Sequence, residues 1–224
     1  MTLAGKHVLV VGANGAFGAE FCKQLMTQGA FVYGTARSAE SSTRLAADLH
    51  QRLLLDLESS SSIEQLAAYL LTHPLDGIIF AAGLVAFGSI SETPASVNER
   101  LMKVNALGQI QLAQALLPKL QESANPFILT ISGVISEQPM AGLSAYSASK
   151  TAIAGFGVAA AKELRKQGIN WIDARPGHTE SGLADRAIFG AAPNFGAGKQ
   201  VANVVSRMVL AISNEERDLP SSAF

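Results

Sequence analysis

The chain has 224 residues and a net charge of −1, and no block of Lys or Arg gives it an electrostatic footprint for nucleic acid or an anionic membrane. Its one cysteine, Cys22, excludes an intrachain disulfide, and no Cys/His cluster has metal-ligand spacing. Hydrophobic residues make up 48 %, enough for the core of one domain spanning 1–224, and the absence of a secretory pattern at the first residues leads us to expect a cytoplasmic protein.

Short β-branched runs alternate with longer amphipathic stretches along the whole chain. That alternation predicts βαβ units and a parallel sheet covered by helices on both faces. The first strand is expected at residues 7–11. It runs straight into Gly12-Ala13-Asn14-Gly15-Ala16-Phe17-Gly18, and Phe17, Phe21 and Leu25 then stripe a helix that Gly29 ends. Glycines between a strand and a helix let the backbone turn tightly and approach a pyrophosphate, with the helix N-terminus facing the anion.

The second strand, 31–35, leads to Arg37, nineteen residues past Gly18. An acid there would take the ribose 2′-hydroxyl of NAD, whereas an Arg suits a 2′-phosphate. No Asp or Glu lies between Phe31 and Ala39, so NADP(H) is the expected cofactor, with Ser38 as a second phosphate contact.

A third strand is predicted at 52–55, then a helix striped by Ile63, Leu66, Ala67 and Leu70, with an N-cap among Ser59 to Ser62. Further strands are expected at 77–81, 127–132 and 170–174. Long helices are expected at 95–120 and at 146–167, where Gly168 stops the chain. Residues 182–198 are rich in Gly and Ala and should form a substrate loop facing residues 84–90. Phe87, Leu183, Ile188 and Phe195 either line an apolar pocket or cover the core. Val201, Val205, Met208, Val209 and Ile212 stripe a last helix, and a short seventh strand is an open question near 217–219.

Within Ser144-Ala145-Tyr146-Ser147-Ala148-Ser149-Lys150, a phenol and an ammonium lie four residues apart and so on one helix face. The ammonium should pull the phenol below its ordinary pKa of about 10 and make Tyr146 a general acid/base.

With these pieces in order, the chain resembles the short-chain dehydrogenase/reductase family from Lys6 to about Leu183. The resemblance implies an α/β fold: one Rossmann-type doubly wound parallel sheet of six or seven strands, order 3-2-1-4-5-6-7. It implies that Asp56 and Leu57 contact adenine and that Ala81-Ala82-Gly83 stands for the family's Asn-Asn-Ala-Gly. Tyr146 and Lys150 match the active-site pair, and Asn105 matches the catalytic Asn that positions a water near Lys150. Pro176 and Gly177 shape the nicotinamide pocket, and Thr179 and Ser181 hold the carboxamide or diphosphate.

Two departures stand out. Gly15 comes one place early in the glycine turn, with Ala16 in the usual glycine position. The family's catalytic Ser lies thirteen residues before the Tyr, and here that residue is Gly133. Ser132 is then the nearest hydroxyl to take over, although an extended strand would turn it to the other side; Ser136 is the next. The reading is an NADP(H)-dependent oxidoreductase acting on a carbonyl or alcohol, working as a homodimer or homotetramer. The alternative is an NADP(H)-binding sensor with little or no catalysis.

Overall fold

Six strands form in the computed structural model, which describes residues 1–224: β1 His7–Val11, β2 Phe31–Ala36, β3 Gln51–Leu54, β4 Gly77–Phe80, β5 Phe127–Ile131 and β6 Asn170–Ala174. All neighbours pair in parallel, in the order β3-β2-β1-β4-β5-β6. The sheet therefore grows one way from β1 through β2 and the other way through β4. The loops leaving β1 and β4 diverge, which opens a crevice at the carboxyl ends of the strands.

Successive residues of β1 point to opposite faces and enter different cores. Val8 and Val10 pack with Phe21 and Leu25 of α1 (Ala16–Thr27) and with Val205 and Met208 of α7 (Val201–Ser213). Leu9 and Val11 pack with Ile63 and Leu66 of α3 (Ser60–Leu71), Leu112 and Leu116 of α5 (Gly108–Leu120), and Ile153 of α6 (Ser144–Leu164). This is why the strands read as unbroken apolar runs. Ser59 caps α3 by accepting from the Ser62 amide at 3.2 Å.

Three local details differ from the sequence pattern. The helix expected at 95–120 is continuous but widens in the middle: α4 (Ala95–Met102) passes through a π turn, Lys103–Leu107, into α5. That turn carries Asn105. A short helix, α2 (Ala39–Ser42), follows β2 and is too brief to leave a periodic trace. The seventh strand shrinks to one parallel bridge between Leu219 and Ala174. Leu219 uses both its backbone groups there, donating to Asp173 O and accepting from Arg175 N, and Pro220 has no N–H to continue the ladder.

The 182–198 loop contains only a single 3₁₀ turn, Ala184–Arg186. Backbone bonds tether it. Ile188 N donates to Val85 O at 2.9 Å and Phe87 N to Phe189 O at 2.9 Å, and Thr179 bridges Lys199 at its base. The loop thus faces residues 84–90. No helix is long and apolar enough to cross a membrane.

Candidate active site

A cleft of about 800 Å³ runs along the carboxyl ends of the strands, from Arg37 to Phe195. At one end, the turn after β1 is pinned to β2: Gly12 N donates to Thr35 Oγ1 and Ala13 N to Thr35 O. Gly18 lies beneath the turn, and a Cβ there would overlap the Gly12 carbonyl oxygen. The start of α1 has no side-chain cap. The first-turn amides are therefore left open towards the cleft, and Asn14, Gly15, Ala16 and Phe17 line it. This is a fitting cradle for the pyrophosphate of a dinucleotide. Gly15 is not forced by space, since a Cβ would approach Gly12 O to 3.4 Å, the near edge of ordinary contact, and Ala16 is accommodated at the helix start.

Further along, Arg37, Asp56 and Leu57 line the cleft, joined by Ser41 and Arg44, which the sequence reading did not single out. Arg44 lies in the turn that α2 creates, so only the fold brings it beside Arg37. Ser38 is not brought into the cleft. Its hydroxyl accepts from Ser41 N at 3.2 Å and its amide donates to Ser41 Oγ at 2.9 Å, so it caps α2 instead.

Ala81, Ala82 and Gly83 carry the wall to the middle, where Tyr146 and Lys150 meet it. The Lys150 ammonium lies 5.9 Å from the Tyr146 ring centroid and donates to Ile131 O at 2.7 Å. The expected drop in the Tyr146 pKa does not occur in this arrangement. Burial pushes the phenol up to about 12 and pulls Lys150 down to about 8. The ammonium points at a carbonyl rather than at the phenol oxygen, so desolvation of the phenolate outweighs its attraction.

Asn105 lies just behind this floor and is fully buried. Its Nδ2 donates to Leu84 O and Ser149 Oγ, both at 2.9 Å, and its Oδ1 accepts from Leu84 N at 2.8 Å. Ser149 in turn donates to Tyr146 O. Asn105 therefore ties the segment after β4 to the helix that bears Tyr146. A Cβ added at Gly83 would lie 3.3 Å from Asn105 Oδ1 and 3.5 Å from Lys150 Nζ, so a side chain there would press on both groups.

Gly133 lines the cleft with φ +76° and ψ 164°, a conformation almost confined to glycine. Ser132 contributes to the same wall, but its hydroxyl is buried and donates to Asp173 Oδ2 at 2.6 Å. Ser136 Oγ lies 3.0 Å from Ser132 Oγ and donates to Gly133 O at 2.8 Å. Both hydroxyls thus face into the protein, as the extended strand required of Ser132. Asp173 was missed in the sequence because a lone acid in a strand gives no motif. Burial raises its pKa, opposed by the bonds from Ser132, Thr130 and Arg175.

Pro176, Gly177, Thr179 and Ser181 line the far wall. Thr179 Oγ1 donates to Gly177 O at 3.0 Å. Beyond them the cleft becomes apolar. Val85, Phe87, Ile135 and Leu143 form a small core, packed by Tyr146, Leu183 and Phe195. Phe87, Leu183 and Phe195 line the cleft; Ile188 is spent on the tether to Val85. His178 lies here too, its ring 5.2 Å from that of Phe195. No group of three or more His, Cys, Asp or Glu side chains is placed to hold a metal.

Residues 6–188 match the family model described as short chain dehydrogenase. Among curated proteins, the chain is 27% identical to dehydrogenase/reductase SDR family member 7B of Mus musculus, over 95% of this chain and 72% of that one. It is 25% identical to 3-ketodihydrosphingosine reductase of Bacteroides thetaiotaomicron, over 94% of this chain and 77% of the other. Among solved structures, a short-chain dehydrogenase from Streptomyces avermitilis superposes with TM-score 0.86 at 27% identity, covering 98% of this chain and 90% of that one. One from Sphingobium yanoikuyae, in complex with NADPH, gives TM-score 0.86 at 23% identity, over 96% and 87%.

Proposed function

The chain belongs to the short chain dehydrogenase family and is an oxidoreductase, and on that premise we propose that it is NADP(H)-dependent and acts on an uncharged, apolar carbonyl or the corresponding alcohol. One observation carries the reading. Tyr146 and Lys150 sit at the middle of a single cleft, between a phosphate cradle with two arginines and an apolar end. NADPH in the Sphingobium relative's complex fits the same choice of cofactor.

When bound, the nicotinamide supplies the hydride. Arg37 and Arg44 hold the 2′-phosphate, and the first-turn amides of α1 hold the pyrophosphate. Tyr146 gives its proton to the oxygen of a carbonyl being reduced, and takes it back in the reverse direction. Lys150 keeps a positive charge beside it, and Asn105 fixes the distance between the two walls. Ser132 enters as a support under the floor, since its proton is committed to Asp173. Position 133 offers no hydroxyl, so Tyr146 works without the serine donor that the family's usual residue would give the substrate oxygen. One absent oxyanion donor corresponds to roughly 10²–10³ in rate, which makes slow turnover the expectation.

The substrate end has Val85, Phe87, Leu143, Leu183 and Phe195, which suits an apolar group beside the carbonyl; Arg186, which also lines the cleft, is exposed and donates to Ser181 O. The exposed Leu107 and Val158 give the outer face of the π turn and α6 an apolar character fitted to a second copy of the chain. A homo-oligomer is therefore part of the proposal, and light scattering at micromolar concentration tests it; a cytoplasmic location belongs to the proposal as well. The reaction is tested by NADPH consumption over a panel of ketones, aldehydes, diketones and quinones. Turnover that survives Tyr146→Phe would overturn the assignment.

A further inference from the structure

We propose that Asp173 is a positioning residue for the reaction: a buried counter-charge, anchored through the strand segment Thr130–Ser132, that keeps the Lys150 side chain an ammonium. The proposal rests on the reading of Lys150 given above.

Asp173 stands on β6, 4 % exposed, opposite Thr130 of β5 in the sheet register. Its face of the sheet is the one α6 covers, because Trp171, two residues earlier, packs in the same core as Ile153 of α6. Three donors converge on its carboxylate: Thr130 Oγ1 at 2.9 Å, Ser132 Oγ at 2.6 Å and Arg175 Nη1 at 3.1 Å. The Thr130 oxygen already accepts from Trp171 Nε1, so its proton is directed to Asp173. Burial raises the Asp173 pKa, and these three donors, each favouring the charged carboxylate, oppose that rise.

Lys150 Nζ donates to Ile131 O, and Ile131 is the residue between Thr130 and Ser132. One three-residue segment thus seats both charges: the ammonium on its middle carbonyl, the carboxylate on its two flanking hydroxyls. The other groups facing Lys150 carry no charge. Tyr146 lies on its own helix, Gly83 approaches from the segment after β4, and Asn105 from the π turn Lys103–Leu107. Arg175 does not cancel Asp173, because it is also bound by Glu137 and Asp218. Three carboxylates share that one guanidinium, so its charge is divided among them. Burial alone lowers Lys150, and Asp173 is the charge that opposes that drop.

The test uses the full chain with ¹³C-labelled lysine, following the Lys150 ε-carbon shift against pH and assigning it by its loss in Lys150→Met. Asp173→Asn keeps the shape and removes the charge. It should lower the Lys150 midpoint by about one pH unit and move the alkaline loss of NADPH-dependent turnover down with it. Arg175→Gln removes the opposing charge and should move both upward. Opposite shifts are something a merely structural role would not produce. A folded Asp173→Asn protein with an unchanged midpoint overturns the proposal. Where that variant does not fold, Arg175→Gln decides alone, and an unchanged or lowered midpoint there overturns it. The NMR readout needs no substrate, so shifted midpoints alongside turnover that survives Lys150→Met would sink the role given to Lys150 and leave the pairing standing.

Discussion

Gly18, beneath the turn at the nucleotide end, and Gly133, in the wall opposite Tyr146, both bar a side chain, each for a different reason. At Gly18 the obstacle is space: a Cβ would overlap the Gly12 carbonyl, because α1 starts directly against the turn it follows. At Gly133 there is space, with nothing nearer to a Cβ than Pro176 O at 3.6 Å, and the obstacle is the dihedral angle of +76°. The nucleotide end is thus fixed by backbone packing into one shape. The carbonyl end is held by side chains, through Asp173, Arg175 and Asn105. A cofactor common to many enzymes needs the first kind of construction, and a substrate particular to one enzyme allows the second.

The largest effect should come from the one residue on which both ends converge. Tyr146→Phe removes the proton donor while keeping the ring, and should cost about 10²–10⁴ in turnover with NADPH affinity nearly unchanged. Stopped-flow or steady-state assays beside fluorescence titration of NADPH read the two quantities separately. Equal losses in both would mean that the two ends are not independent.

Gly18→Ala should act on the nucleotide end alone. Forcing a methyl against backbone costs roughly 1–3 kcal/mol of strain. NADPH binding should weaken or vanish, and the melting temperature should fall. Binding and melting unchanged from the parent chain would show that the turn is looser than its contacts imply.

Arg37→Gln should be milder, because Arg44 remains on the same wall. A lost charge-assisted bond is worth about 1.5–3 kcal/mol, or on the order of tenfold to a hundredfold in NADPH affinity, with NADH affinity unaltered. Equal loss for both cofactors would remove the argument for a 2′-phosphate site.

How much of this was legible in the sequence follows the same division. The glycine turn, Arg37 and the Tyr146/Lys150 pair carry local spacings that their chemistry imposes, so they read directly. Most of the strands read well because both faces are buried and leave apolar runs, whereas β3 is an edge strand with Gln51, Arg52 and Leu54 exposed. Arg44 and Asp173 were not legible. Asp173 matters through neighbours distant in the chain and Arg44 through a turn that only α2 creates, and a single Arg after a four-residue helix or a single Asp in a strand has no periodicity to reveal it. The direction of the Tyr146 shift was also out of reach, since it depends on where the Lys150 ammonium points. Ser38 was misplaced for a local reason, as its hydroxyl was taken by the helix it begins.

The smallest effect on turnover should come from Gly133→Ser, which restores the family's usual residue. With φ at +76° and ψ at 164°, a serine must either accept strain of about 1–3 kcal/mol or swing the backbone towards an ordinary extended angle. The second course disturbs the bonds that Gly133 N and Val134 N make to Ala174 O and Pro176 O, which carry the wall opposite Tyr146. In neither case does the hydroxyl arrive where an oxyanion would form. The expected outcome is a lower melting temperature and turnover no higher than that of the parent chain. A gain of tenfold or more would mean that the backbone at 133 relaxes without cost. The carbonyl end would then lack only a side chain, and its glycine would be a substitution the fold merely tolerates.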